Sequence, residues 1–127
     1  MKLKGCLPVL VAGVIAAASH SAAAEGDVAK GEKLFKRCAA CHSLEAGKKK
    51  VGPSLAGVFG RTAGTLEGFK YSKAMIASEV VWDEETIDQY LEKPKAFIPK
   101  NKMAFPGFKK PEQRADVIAY LKEATAQ

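Results

Sequence analysis

The sequence predicts a single all-α domain behind a removable leader, and three observations carry that reading. Beyond residue 24, apolar residues recur at helical spacing near both ends of the chain, the pattern of helices with one buried face. No stretch alternates apolar and polar residues for long enough to make a convincing strand. Two long segments, 43–68 and 95–110, are broken by glycine or proline and read as loops. There is no internal repeat and no linker-like stretch, so residues 25–127 fit one domain.

The leader comes first. Lys2 and Lys4 make a positive start, residues 7–18 are apolar, and Ala22, Ala23 and Ala24 offer a small-residue cleavage site. An uncleaved membrane anchor or a buried helix is the alternative. A span needs about 20 apolar residues, and this stretch is closed by Ser19, His20 and Ser21. Cys6 stands before the apolar stretch instead of at its end, so lipidation is set aside. The reading is export to the periplasm with cleavage near Ala24, which divides the chain into a signal peptide, 1–24, and a domain, 25–127.

Within the domain, Asp27 is a suitable N-cap for a helix running toward Cys38, with Val28, Gly31, Leu34 and Phe35 on one side. Gly31 is costly inside a helix, and its presence there suggests close approach by a second helix. Short helices are expected over 72–79 and 83–91. Asp83 caps the second, Glu84 and Glu85 suit its positive end, and Pro94 limits its extension. Ile87, Tyr90 and Leu91 form its apolar face. The loop over 95–110 is too long to stand unsupported in a small domain, so it wraps something. A final helix starts near Pro111 and runs almost to Thr125, with Val117, Ile118, Tyr120, Leu121 and Ala124 apolar. Its expected partner is the face carrying Gly31 and Phe35.

The chemistry is concentrated at Cys38, Ala39, Ala40, Cys41 and His42. Two cysteines at this spacing also suit a redox dithiol or half of a zinc site. The dithiol normally opens a helix inside a βα framework, which is missing here. Zinc lacks ligands, because His20 departs with the leader and no third cysteine remains in the domain. The immediate histidine instead marks covalent haem attachment, with Cys38 and Cys41 forming thioethers and His42 supplying the proximal nitrogen. His42 is the only histidine of the domain, so a second protein ligand is expected to be Met75 or Met103. Met75 falls in an expected helix and reads as core filling. Met103 lies in the loop among Pro99, Pro106 and Gly107 and is the stronger candidate. A histidine and a thioether together favour the ferrous state and leave no position for substrate.

With these residues in hand, the chain resembles the mitochondrial-type class I cytochromes c and their periplasmic bacterial relatives. The resemblance runs through Gly-Asp-Val-Ala-Lys-Gly-Glu-Lys-Leu-Phe, Cys-Ala-Ala-Cys-His, Gly-Pro-Ser-Leu with Phe-Gly-Arg, Pro-Lys-Ala-Phe-Ile-Pro, Lys-Met-Ala-Phe-Pro-Gly and Arg-Ala-Asp-Val-Ile-Ala-Tyr-Leu. It implies the cytochrome c fold, with terminal helices joined through Gly31, Phe35, Val117 and Tyr120 around one haem c. It also implies that Pro53 accepts a hydrogen bond from His42, and that Arg61, Tyr71 and Trp82 surround the inner propionate. Tyr90 would stand near the methionine sulfur, Met103 would be the distal ligand, and Phe105 would shield the haem edge. Each has a plainer reading: Arg61 as a surface charge, and the aromatic residues as packing. Departures from the family pattern are Lys100 for a turn glycine, Asn101 for a threonine, Met75 for an asparagine, and a first helix one residue shorter.

The implied function is one-electron transport, not enzymatic turnover. The chain carries a formal net charge of +6, with Lys33, Lys36, Lys48, Lys49, Lys50, Lys95, Lys100, Lys102, Lys109 and Lys110 available for a basic collar. Glu79, Asp83, Glu84, Glu85, Asp88 and Glu92 form an acidic run elsewhere. Such segregation orients a carrier before contact. The expected partners are membrane redox complexes with acidic docking faces, met transiently by a monomer. By resemblance, a cytochrome bc1-type complex or a dehydrogenase donates, and an oxidase, photosynthetic reaction centre or periplasmic reductase accepts. Nucleic acid is excluded by the expected export and by the lack of a base-stacking array. The competing functions are a haem-bearing subunit retained in a respiratory complex and a peroxidase-like enzyme; the latter needs an open distal position.

Overall fold

The computed structural model describes residues 25–126, and the expected leader over 1–24 lies outside them. Five helices follow in order: α1 (Val28–Ala39), α2 (Lys73–Ser78), α3 (Glu84–Glu92), α4 (Pro94–Phe97) and α5 (Pro111–Ala124). The expected helices and both expected caps are present. The Asp27 carboxylate accepts the Lys30 N–H at 3.0 Å. Asp83 closes a capping box, taking the Thr86 N–H at 2.8 Å while its own N–H donates to the Thr86 hydroxyl at 2.9 Å. Reciprocal caps satisfy donors that the first turn cannot.

One helix was not expected. The short α4 stands inside the region assigned to loop, because Pro94 limits α3 and also suits the first position of a new helical turn. The Ile98 N–H closes that turn on the Pro94 carbonyl at 3.0 Å. Among the described residues extended pairing is confined to a bridge between Thr62 and Val81, flanked by N–H donation from Gly60 to Trp82 and from Trp82 to Arg61.

The frame is the crossing of α1 and α5. Gly31 is buried there, and a Cβ on it would lie 1.9 Å from the Asp116 carbonyl oxygen and 2.8 Å from the Tyr120 Cβ. The helices therefore touch backbone to backbone, a distance that any side chain at Gly31 would forbid. Gly26 is under the same constraint, with a Cβ position 2.0 Å from the Ala115 oxygen. Phe35 and Tyr120 meet beside the crossing with ring centres 5.3 Å apart, and the Asp27 N–H donates to the Asp116 carboxylate at 2.7 Å. Val117, Ile118 and Leu121 carry α5 into the core with Ile87, Tyr90 and Leu91 of α3.

Arg114 is buried, so its charge requires partners. Its Nε donates to Asp88 at 2.8 Å and its Nη1 to the Phe108 carbonyl at 2.9 Å. One guanidinium thereby fastens α5 to α3 and to the long loop that follows α4.

Candidate functional site

The last turn of α1 delivers Cys38, and the chain bends directly beneath it. The N–H groups of Cys41 and His42 both donate to the Cys38 carbonyl, at 3.0 and 2.9 Å. Cys38 is half-buried and Cys41 exposed, and both thiols are free. Burial raises the Cys38 thiol above its ordinary value, with the neighbouring Arg37 charge opposing that rise. Adjacent turns of one short segment thus present two reduced sulfurs and an imidazole.

Residues 51–55 are strapped onto this segment. Gly52 N–H donates to the Cys41 carbonyl at 2.8 Å, and Leu55 N–H donates to that of Ser43 at 2.8 Å. The strap brings Pro53 to His42, whose Nδ1 lies 2.8 Å from the Pro53 oxygen. A carbonyl only accepts, so the proton sits on Nδ1 and the lone pair belongs to Nε2. Burial, joined by the charge of Arg61, lowers the His42 pKa against the opposing effect of the Pro53 hydrogen bond. The ring is consequently kept in the neutral form that binds metals. Gly52, absent from the expected site, belongs to it: a Cβ there would lie 2.5 Å from His42 Cε1.

Met103 is half-buried in the loop after α4. Its N–H donates to Asn101 Oδ1 at 2.8 Å, and its sulfur accepts from the Tyr90 hydroxyl at 3.8 Å. Asn101 is itself buried, and its amide donates to the carbonyls of Pro94 at 2.9 Å and Ile98 at 2.7 Å. Noted from sequence only as an unusual residue, Asn101 is the hub that ties the methionine to α4. Tyr90 is buried, which pushes its hydroxyl up to about 12. The hydroxyl therefore remains a donor throughout the neutral range. Met75, on α2, packs half-buried against the core.

The remaining expected residues divide by location. Trp82 is buried against Tyr90 with ring centres 5.0 Å apart. Arg61 donates to the carbonyls of Ala56 at 3.2 Å and Ser54 at 3.0 Å, leaving other N–H donors of its fork for a further anion. Tyr71 is half-buried and packs edge-on to Phe69 at 4.8 Å, and the nearby Arg61 charge offsets part of the rise that burial causes in its hydroxyl pKa. Phe105 stands half-exposed beside Phe108, with ring centres 5.1 Å apart.

These residues fit a covalently held haem. Two free thiols stand beside one bare imidazole nitrogen, and a thioether is presented from a separate loop. Leu44, Leu55, Phe59, Val80 and Phe97 pack against the core yet remain half-exposed, as apolar surface reserved for a flat apolar group does.

Comparison with known proteins decides the family. The family described as "Cytochrome c" matches residues 28–125. The chain belongs to the cytochrome c family. It is 57% identical over 103 residues to cytochrome c of Chlamydomonas reinhardtii, covering 80% of this chain and 92% of that one. It is 53% identical to cytochrome c of Sesamum indicum, covering 86% of this chain and all of its relative, and 49% identical to that of Ginkgo biloba, covering 87% and 99%. As a cytochrome c, the protein carries one haem c through Cys38 and Cys41 and is an electron carrier, not an enzyme.

One expectation is corrected by the same comparison. The periplasmic address, with export and cleavage near Ala24, does not stand: these similar proteins are cytochromes c of an alga and of plants, eukaryotes that have no periplasm. They favour the mitochondrial-type part of the resemblance over its bacterial, periplasmic part. The charge and apolar pattern of the first residues misled because it records how a segment meets membranes, which several destinations share.

The basic collar is also modified by the geometry. Lys48 pairs with Glu45 at 3.2 Å, while Lys49 donates to the Gly68 carbonyl at 2.8 Å and Lys50 to that of Ala39 at 2.7 Å. Lys95 is tied to the Asn101 carbonyl. These lysines brace the loops that carry the site.

Proposed function

We propose that His42 Nε2 and Met103 Sδ would be the two protein ligands of the haem iron, leaving it no place for a substrate and making this cytochrome c a one-electron carrier. The observation that carries the reading is the His42 Nδ1 contact with the Pro53 oxygen at 2.8 Å, which leaves Nε2 free beside the Cys38 and Cys41 thiols. Haem supplies a metal that gains and loses one electron. The chain's contribution is to hold its ligands still. Pro53 fixes the imidazole tautomer, Tyr90 donates to the thioether, and Asn101 fixes the methionine backbone. Arg61, Tyr71 and Trp82 would hold a propionate of the bound haem, and Phe105 would shield the haem from solvent.

The functional unit of this reading is residues 25–127, with 1–24 a leader segment outside it. The carrier works as a monomer. Its lysines meet acidic docking faces of membrane redox complexes, with a cytochrome bc1-type complex or a dehydrogenase as donor and an oxidase or photosynthetic reaction centre as acceptor.

The test is the ferric spectrum of the holoprotein beside that of Met103→Ala. A low-spin wild type with the weak methionine-to-iron charge-transfer band, lost in the variant, supports the pair. A high-spin wild type that binds cyanide at once overturns it.

A further inference from the structure

We propose that Arg37 is a positioning residue for Met103, clamping the methionine loop to the haem-bearing end of α1 through the faces of Phe105 and Phe108. This rests on Met103 being the axial thioether.

The guanidinium carbon of Arg37 lies 5.1 Å from the Phe105 ring centre and 5.0 Å from that of Phe108. Both lie within the range of cation–ring attraction. Arg37 is exposed, and among the described residues it forms no ion pair. Its charge is therefore directed at the two rings instead of a carboxylate.

The rings differ in how firmly they are held. Phe108 is 1% exposed. Its N–H donates to the Leu91 carbonyl at 2.8 Å, and its carbonyl accepts from Arg114 at 2.9 Å. It is an anchor. Phe105 is half-exposed, and its neighbours Ala104 and Pro106 are exposed. Residues 101–109 belong to no helix or strand. The loop is pinned upstream by Asn101 and downstream by Phe108, and Phe105 occupies the span between those pins, two residues beyond Met103.

Arg37 joins this span to the segment that carries the two thiols. It immediately precedes Cys38 in the last turn of α1, so a guanidinium laid across both rings connects the attachment segment directly to the loop. Swinging Met103 away requires Phe105 to leave the guanidinium. The clamp thus disfavours the open loop without touching the methionine, and it sets how readily an outside ligand replaces the thioether.

The experiment titrates the ferric holoprotein with imidazole, without any redox partner, in wild type, Arg37→Gln and Arg37→Lys. Imidazole binds only when the loop is open, so its apparent affinity follows the open fraction. Loss of two exposed cation–ring contacts predicts about tenfold tighter binding in the Gln variant, with the Lys variant within about threefold of wild type. Amide exchange at residues 103–108 is expected to accelerate in the Gln variant, with the α1 and α5 amides unchanged. Equal imidazole affinity in wild type and Gln overturns the clamp, as does a Lys variant that behaves like Gln. Protection lost evenly across all helices also overturns it, because that is general destabilisation. If wild type lacks the methionine-to-iron band, the axial reading fails by itself. Exchange at 103–108 then still decides the clamp: faster in Gln sustains it, and unchanged ends it.

Discussion

Lys100 and Asn101 are neighbours with opposite energetic roles. Lys100 sits at φ +65, in the left-handed region where a Cβ crowds the backbone. Asn101 beside it spends its buried amide on Pro94, Ile98 and Met103. The loop bears the strain of one residue to hold the next in place. Lys100→Gly is expected to stabilise the folded protein by about 0.5–1 kcal/mol, the relief at φ being partly offset by the freer unfolded chain. Urea denaturation of the ferric holoprotein checks this; an unchanged or lower midpoint contradicts it. Sequence alone marked both residues as unusual but could not assign their parts, because φ and hydrogen bonding here depend on how the chain closes over α4. Cys38, Cys41 and His42 were legible for the converse reason. Their chemistry is written in consecutive residues, whereas the approach of Gly52 to the imidazole exists only after the strap has folded.

Among the elements, the helices with side-chain caps were the easiest to read. Asp27 and Asp83 announce α1 and α3 by residue type and spacing, and the capping bonds form as expected. The single turn of α4 was hidden because proline ends one helix and begins another with the same ring. The α3 cap also carries a pH dependence. Hydrogen bonds from Thr86 hold the Asp83 pKa below its ordinary 3.8. A depressed folded pKa contributes stability above the unfolded value, and that contribution is lost as pH falls through the folded one. The stability gap between wild type and Asp83→Ala is therefore expected to be constant from about pH 7 to about pH 5 and to narrow below about pH 4. Urea midpoints measured across that range decide it, and a gap that widens with acid contradicts the assignment.

At the scale of the whole molecule, charge is segregated by region. Lys102, Lys109 and Lys110 are exposed along the loop that presents Met103. Glu84, Glu85 and Asp88 lie on α3, where Lys122 and Arg114 of α5 neutralise two of them. A carrier steered by such a field reacts more slowly as salt rises. The second-order rate with an acidic redox partner is expected to fall at least about tenfold between about 10 mM and about 200 mM salt. Stopped-flow oxidation measures it, and a flat profile removes the lysines from docking. The fold class was legible at this scale because paired terminal helices leave a strong periodic signal. The address was not, because a basic, apolar start is compatible with more than one destination.

The contact between α1 and α5 also sets the order in which the chain can close. Chains emerge from the ribosome beginning with the N-terminal end, and the helix that covers Gly31 is the last of the described elements to appear. Until then, α1 is too short to be stable alone, and Cys38 and Cys41 are borne on an open chain. A chain that ends before α5 therefore carries its two thiols on an unclosed site. By postponing its own closure, the fold leaves its cofactor site reachable until α5 packs onto α1.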